Sequence, residues 1–303
     1  MGQVEFTLYD VSTFPIVRLQ RRLIPPRAAG EKRRFFCTGG LDLIDMAFSA
    51  VGGTTMRKVA SAGTGFLCIA LTLTGMLVKH AQAQDYAAIL ANPVRPEEDR
   101  ALDVGRNPEE VLKFFGVKPG DKVADIIAGG GYYTVILSLV VGPQGVVYST
   151  NNAFAKGFVK DKLDVRLQNP AFANVKHIDS EVDKLALPTD GSLDFVLIHL
   201  NYHDLVLKND NRAAMNKAIF AALKPGGVYG VVDHYAKDGS GSESAASLHR
   251  IDKAVVIKEV TAAGFVLAKE GNMLRHPEDP RTEGVFKNRG ATDRFVLRFE
   301  KPK

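Results

Sequence analysis

From Gln84 to the C-terminus, short runs of β-branched and apolar residues alternate with longer amphipathic stretches, and turn residues punctuate them. That alternation predicts an open, mostly parallel sheet with helices on both faces, an α/β Rossmann-like arrangement. Lys122–Ile127, Val146–Thr150, Val175–Ile178, Leu193–Leu200 and Val228–Asp233 read as five strands, and Phe265–Lys269 with Arg294–Phe299 as a closing antiparallel hairpin. Asn107 is an N-cap followed by Pro108, Glu109 and Glu110, so a helix is expected from there to about Phe115. Further helices are expected over Tyr132–Val140, Phe154–Leu167, Asn211–Leu223 and His249–Ala263. Gly129-Gly130-Gly131 breaks the chain after the first strand, and Pro225-Gly226-Gly227 stops the helix before the fifth. Residues 84–303 therefore read as one domain.

The stretch ahead of it has a different pattern. Met56-Arg57-Lys58 precedes a segment without charge from Val59 to Val78, and Ala81-Gln82-Ala83 follows. Two cations, an apolar run and an A-x-A step read as a secretory signal peptide over residues 56–83, cut between Ala83 and Gln84. An uncleaved anchor is the alternative, because the run approaches the roughly 20 residues that span a bilayer. Either sends the rest of the chain out of the cytoplasm, to the periplasm in a bacterium, with membrane contact only if the signal stays uncleaved. Residues 1–55 show neither helical nor strand periodicity and read as an extension ahead of a start at Met56.

Charge changes the picture only slightly. The chain carries 39 Lys+Arg against 34 Asp+Glu, a net charge of +5. Ten of the basic and five of the acidic residues lie in residues 1–83, which leaves 29 of each in residues 84–303. A neutral domain lacks the basic surplus that draws proteins to phosphate backbones, so no nucleic-acid partner is expected and a small-molecule substrate is. Both cysteines, Cys37 and Cys68, also precede Gln84. The domain can form no disulfide, no thiolate metal site and no cysteine nucleophile.

In an open α/β sheet, ligands bind beyond the carboxyl ends of the strands, so the residues just after each strand carry the chemistry. After the first strand, Asp125 and the Gly129–Gly131 turn place a carboxylate beside backbone that lacks Cβ atoms, at a helix N-terminus. After the fourth come His199, Tyr202, His203 and Asp204, and the fifth ends in Asp233-His234. A histidine there can take a proton from a hydroxyl or amine, or be a hydrogen-bonded structural residue. Asp204, Asp233 and His234 are enough to hold a divalent cation, but an ordinary salt-bridge network accounts for them better, and no metal is expected. His249-Arg250-Ile251-Asp252 either closes over the same pocket or presents Arg250 and Asp252 as a solvated helix face.

Val123-Ala124-Asp125-Ile126-Ile127-Ala128-Gly129-Gly130-Gly131-Tyr132-Tyr133-Thr134 resembles the first motif of class I S-adenosylmethionine-dependent methyltransferases. Asp190–Ile198 resembles their approach to the fourth strand, Ala222–Val228 their turn before the fifth, and Ala262–Phe265 the step into the terminal hairpin. The paired Tyr132-Tyr133, Asn201–Asp204 and Asp233-His234 resemble an exported bacterial subgroup. The resemblance implies S-adenosylmethionine as cofactor, held by Asp125, Gly129, Gly130 and Gly131, with His199 beside it. Asp179 matches the position that meets the adenine amino group. Asn151 and Asn152 stand where an acid usually binds the ribose, and Ile127 where the turn usually has its first glycine. His203, Asp204, Tyr202, Asp233 and His234 would then form the acceptor side. A non-catalytic binding protein that retains the fold is the alternative. A nicotinamide-dependent oxidoreductase fits poorly, because Thr134 stands where the dinucleotide fingerprint has its third glycine.

Overall fold

The computed structural model describes residues 84–303; the expected signal and the extension before it lie outside the described residues. Three short helices, α1 (Tyr86–Leu90), α2 (Glu97–Arg100) and α3 (Asp103–Arg106), lead into α4 (Pro108–Phe115). The sheet has seven strands: β1 (Lys122–Ile126), β2 (Val146–Thr150), β3 (Val175–His177), β4 (Leu193–His199), β5 (Leu223–His234), β6 (Val266–Gly271) and β7 (Arg294–Glu300). Their order is β3-β2-β1-β4-β5-β7-β6, with β7 antiparallel between β5 and β6 and the others parallel. The expected α/β class, closing antiparallel pair included, is what the chain forms.

Side chains one residue apart on a strand point to opposite faces, so the central strands build two cores. Ala124, Ile126, Val196, Ile198, Tyr229 and Val231 belong to one, and Val123, Phe195, Leu197 and Val232 to the other. The first packs under α8 (Tyr202–Leu207), α9 (Arg212–Ala222) and α11 (Lys253–Ala262); the second under α4 and α5 (Tyr132–Val141). Both faces being covered explains why these strands read as apolar runs without polar alternation.

Three boundaries and one surface assignment differ from the sequence reading. The helix expected over Phe154–Leu167 is two, α6 (Ala153–Val159) and α7 (Lys162–Leu167), broken where Lys160 turns left-handed at φ 52°. β5 begins at Leu223, before the Pro-Gly-Gly turn, and its register against β4 jumps between Leu193 and Phe195, so the turn bulges out of the ladder. His249 starts no helix: it ends α10 (Ala245–Leu248) in a left-handed conformation. Arg250 and Asp252 are buried, not a solvated face: Arg250 pairs with Asp279 at 2.8 Å, and Asp252 caps α11 through Ala254 N–H.

Candidate active site

The tips of β1, β4 and β5 converge on two adjoining cavities, of about 280 and about 520 Å³, which share Leu102, Arg106, Ile127, Gly129, Leu200 and Asn201 as walls. The smaller is polar. β1 delivers Asp125 into it, and the chain then turns sharply through Ile127 (φ 56°), Gly129 (φ 58°) and Gly131 (φ 88°) into α5. A Cβ at Gly131 would lie 2.6 Å from Leu163 Cδ1, so that position has no room for a side chain. Ile127 holds a backbone conformation that β-branched residues rarely adopt. Its position is where the resemblance puts a glycine, and the structure demands of it what a glycine would supply.

The turn is braced from β2. Asn151 Oδ1 accepts from Gly129 N–H at 2.8 Å, and Asn151 Nδ2 donates to Gly129 O at 3.1 Å. Asn151 thus clamps the loop backbone and lines neither cavity; the expected ribose contact finds its amide already engaged. Asn152 lines the larger cavity while its Oδ1 caps α6. Asp179 is also drawn elsewhere: it pairs with Lys156 and lies 2.9 Å from His177 Nε2, outside both cavity walls.

Asp125 accepts from Thr134 Oγ1 at 2.7 Å, and burial pushes its carboxyl up to about 7 in spite of that bond. His199 lies against the Tyr133 ring at 4.5 Å. Burial, with Arg106 and Arg294 nearby, holds its imidazole well below 6.5 and so neutral. Its Nε2 is buried without a hydrogen-bond partner. An orphaned ring nitrogen and a buried carboxyl around one small chamber, beside glycine backbone that carries no side chains, are a polar surface that a ligand with hydrogen-bonding groups would complete.

The larger cavity has apolar walls, Leu102, Phe154, Phe158 and Phe286 among them, and a polar floor of His203, Asp204, His234 and His249. Asp233, fully buried, organises that floor from behind. Its Oδ2 accepts from His203 backbone N–H at 2.8 Å, and its Oδ1 lies 2.7 Å from His203 Nδ1. His203 Nε2 is 3.3 Å from Asp204 Oδ1, which lies 3.2 Å from His249 Nδ1. Burial opposes charge on His203, but Asp233 and Asp204 outweigh it and push its imidazole up to about 10. The two flanking carboxylates thus favour a proton on His203, which makes it a hydrogen-bond donor toward the cavity. Burial raises the Asp204 carboxyl, yet the His203 and His249 contacts win and leave it below the usual carboxylate range.

His234 joins the floor as a neutral ring: its Nδ1 is 2.8 Å from Thr292 Oγ1, and burial with the Arg294 charge holds it well below 6.5. Tyr202 is not at the site. Its side chain faces the helix layer, where its hydroxyl donates to Glu259 at 2.8 Å and accepts from Asn216 at 3.0 Å. One position along a helix separates it from His203, and about 100° of rotation sends the two to opposite sides. The cation trio Asp204, Asp233 and His234 does not converge either, since Asp233 is spent on His203. The donors that converge are His203, Asp204 and His249, whose ligand atoms all lie within 4.8 Å of one another. Arg294, missed by sequence reasoning, lines the floor because β7 pairs it opposite His234. It donates to the carbonyls of Gly105 and Arg289, both at 2.6 Å; burial and Arg106 pull its guanidinium down to about 10.

A sequence profile of the ubiE/COQ5 methyltransferase family matches residues 106–249. A ubiquinone/menaquinone biosynthesis C-methyltransferase UbiE of Teredinibacter turnerae is 28% identical over 183 residues, which cover 59% of this chain and 70% of that protein. Its counterpart in Stutzerimonas stutzeri is 32% identical over 117 residues, 38% of this chain and 43% of that one, so the chain spans less than half of that relative's length. Among solved structures, a SAM dependent methyltransferase from Aquifex aeolicus superposes with a TM-score of 0.50 at 20% identity, covering 72% of this chain and 98% of that chain. That likeness is one of fold.

Proposed function

We propose that the chain is a class I S-adenosylmethionine-dependent methyltransferase, a reading supported by the family profile and the relatives, and that it methylates a small, largely apolar acceptor whose hydroxyl group rests on the His203–Asp204–His249 floor. S-adenosylmethionine, when bound, supplies an electrophilic methyl group. The smaller chamber fits it: Gly129 and Gly130 line it without side chains, whereas Gly131, expected beside them, faces Leu163 and lies outside the cavity wall; Asp125 offers a carboxyl to a cationic ligand, and His199 Nε2 lacks a partner. The remaining work of such a displacement is to place the acceptor and manage its proton. Asp204 and His249 face the cavity as hydrogen-bond partners for that hydroxyl, and His203, held between two carboxylates, can donate to an oxygen that is losing its proton.

The observation that carries this reading is the larger cavity, with apolar walls above a charged floor and the glycine turn at its side. Phe158 and Phe286 are 75% and 58% exposed at its rim, which suits an apolar guest. The relatives are named for C-methylation in ubiquinone and menaquinone biosynthesis, and we propose a hydroxylated aromatic ring of the quinol type as the acceptor here. Incubating the full chain with methyl-labelled S-adenosylmethionine and a panel of hydrophobic phenols and quinols should label them, while polar amines stay unlabelled. Label on the amines alone, or on nothing while the cofactor binds, would sink the proposal. His203→Ala should lose turnover and keep cofactor binding; an unchanged rate removes that residue from the reaction.

We also propose that the domain works outside the cytoplasm, in a periplasm. The pattern of residues 56–83 supports this reading, and cell fractionation of the native protein tests it. Recovery in the cytoplasm with residues 56–83 intact would refute it.

A further inference from the structure

We propose that His203, Asp204 and His249 form a binding site for a divalent transition-metal ion, with an open coordination position toward the larger cavity. Three donor atoms of mixed type meet at one point: His203 Nε2, an Asp204 carboxylate oxygen and His249 Nδ1; the ion takes the place of the proton that His203 Nε2 holds toward Asp204, and that proton is released to solvent on binding. Zinc bonds of about 2.0–2.2 Å to nitrogen and oxygen set neighbouring donors about 3.3 Å apart around a tetrahedral centre. The two separations to Asp204 Oδ1 are 3.3 and 3.2 Å. All three residues line the cavity, so the fourth position of a tetrahedron opens onto the space where an acceptor would lie. Sites with three protein ligands and one free position are the catalytic kind; structural ones are closed by four.

The surroundings are also those of a metal site. A ligating histidine nearly always gives its other ring nitrogen to a carboxylate, which fixes the ring. His203 does this: its Nδ1 is 2.7 Å from Asp233, which is fully buried and held in turn by the backbone N–H groups of His203 and His234. His249 reaches the point only because its backbone is left-handed at φ 54°, a conformation that costs a histidine energy and that clusters at functional positions. The Phe286 ring packs against its imidazole at 4.7 Å. Two imidazoles and one carboxylate favour zinc, iron or cobalt over magnesium and calcium, which prefer oxygen donors alone.

The proposal stands apart from the acceptor assignment, because metal capture is measured without turnover. The full chain is stripped with a chelator and titrated with Co2+ while its visible absorption is recorded, then with Zn2+ as competitor. One equivalent of Co2+ should bind with the spectrum of a tetrahedral nitrogen and oxygen site, and Zn2+ but not Mg2+ should displace it. Asp204→Asn and His249→Gly should each weaken capture at least about tenfold, the loss seen when even a supporting partner of a ligand is removed. The glycine suits the left-handed backbone, so His249→Gly keeps the fold. Replacing both Cys37 and Cys68 by alanine should leave the spectrum intact. Absence of stoichiometric binding overturns the site, as does a spectrum that survives both ligand variants or vanishes with the cysteines.

Discussion

Replacing Ile127 with alanine and, separately, with glycine isolates the strain stored in the turn after β1. At most positions glycine is the worse of the two by about 0.5–1 kcal/mol, because it loses more backbone freedom on folding. Ile127 sits at φ 56°, where a residue with a Cβ costs roughly 1–2 kcal/mol. Both variants lose the buried isoleucine side chain, 5% exposed, at a cost of about 2–5 kcal/mol, and that loss largely cancels between them. Ile127 lines both cavities, and alanine and glycine differ there by a single methyl group. Strain release then exceeds the entropy penalty, and Ile127→Gly should be more stable than Ile127→Ala by about 0.5–1 kcal/mol. For a domain of this size each kcal/mol moves the melting temperature by about 2–4 °C, within reach of calorimetry or circular dichroism. If alanine is the more stable by 0.5 kcal/mol or more, the usual order holds, and Ile127 is not kept left-handed by its surroundings.

Three further outcomes are expected. Asn151→Asp, which restores the acid usual at that position, should lower stability by about 1–3 kcal/mol, because a carboxylate cannot donate to Gly129 O and would face it; an unchanged urea midpoint refutes the clamp. Gly131→Ala should cost about 2–4 kcal/mol from the positive φ together with a contact of 2.6 Å to Leu163, and a neutral result would mean that the turn is free to open. Asp125 has a folded pKa of about 7, above the ordinary 3.8, so it favours the fold below pH 4 and that contribution is lost as pH rises through 7, a swing of about 4 kcal/mol. S-adenosylmethionine should correspondingly bind more tightly as pH rises from 6 to 8, and Asp125→Asn should flatten that slope; an equal slope in the variant refutes the role.

Strand positions and the glycine turn were legible in the sequence because both follow from local rules: apolar runs covered on two faces, and Gly-Gly-Gly where the chain must reverse. The site was legible only as far as strand ends point. Tyr202 and His203 are neighbours in sequence, and only the rotation of α8 shows that one enters the core and the other the cavity. Arg294 joins the floor through antiparallel pairing of β7 with β5, a contact across 60 residues that no local pattern encodes. His249 reads in sequence as a helix start; a left-handed end to α10 aims it at Asp204 instead. Asn151 stands at the expected strand tip, but its side chain turns inward, since the glycine loop carries backbone groups that something must satisfy.

The central claim is that bare backbone beside Asp125 seats an adenosyl cofactor, and calorimetric titration of the full chain tests it most directly. S-adenosylmethionine and S-adenosylhomocysteine should each bind once per chain and NAD not at all. Gly130→Val should fold, since its new Cβ would meet only the flexible Lys162 side chain at 3.1 Å, and should bind neither. No heat with the unaltered chain, or equal binding by the Gly130→Val variant, would contradict the account.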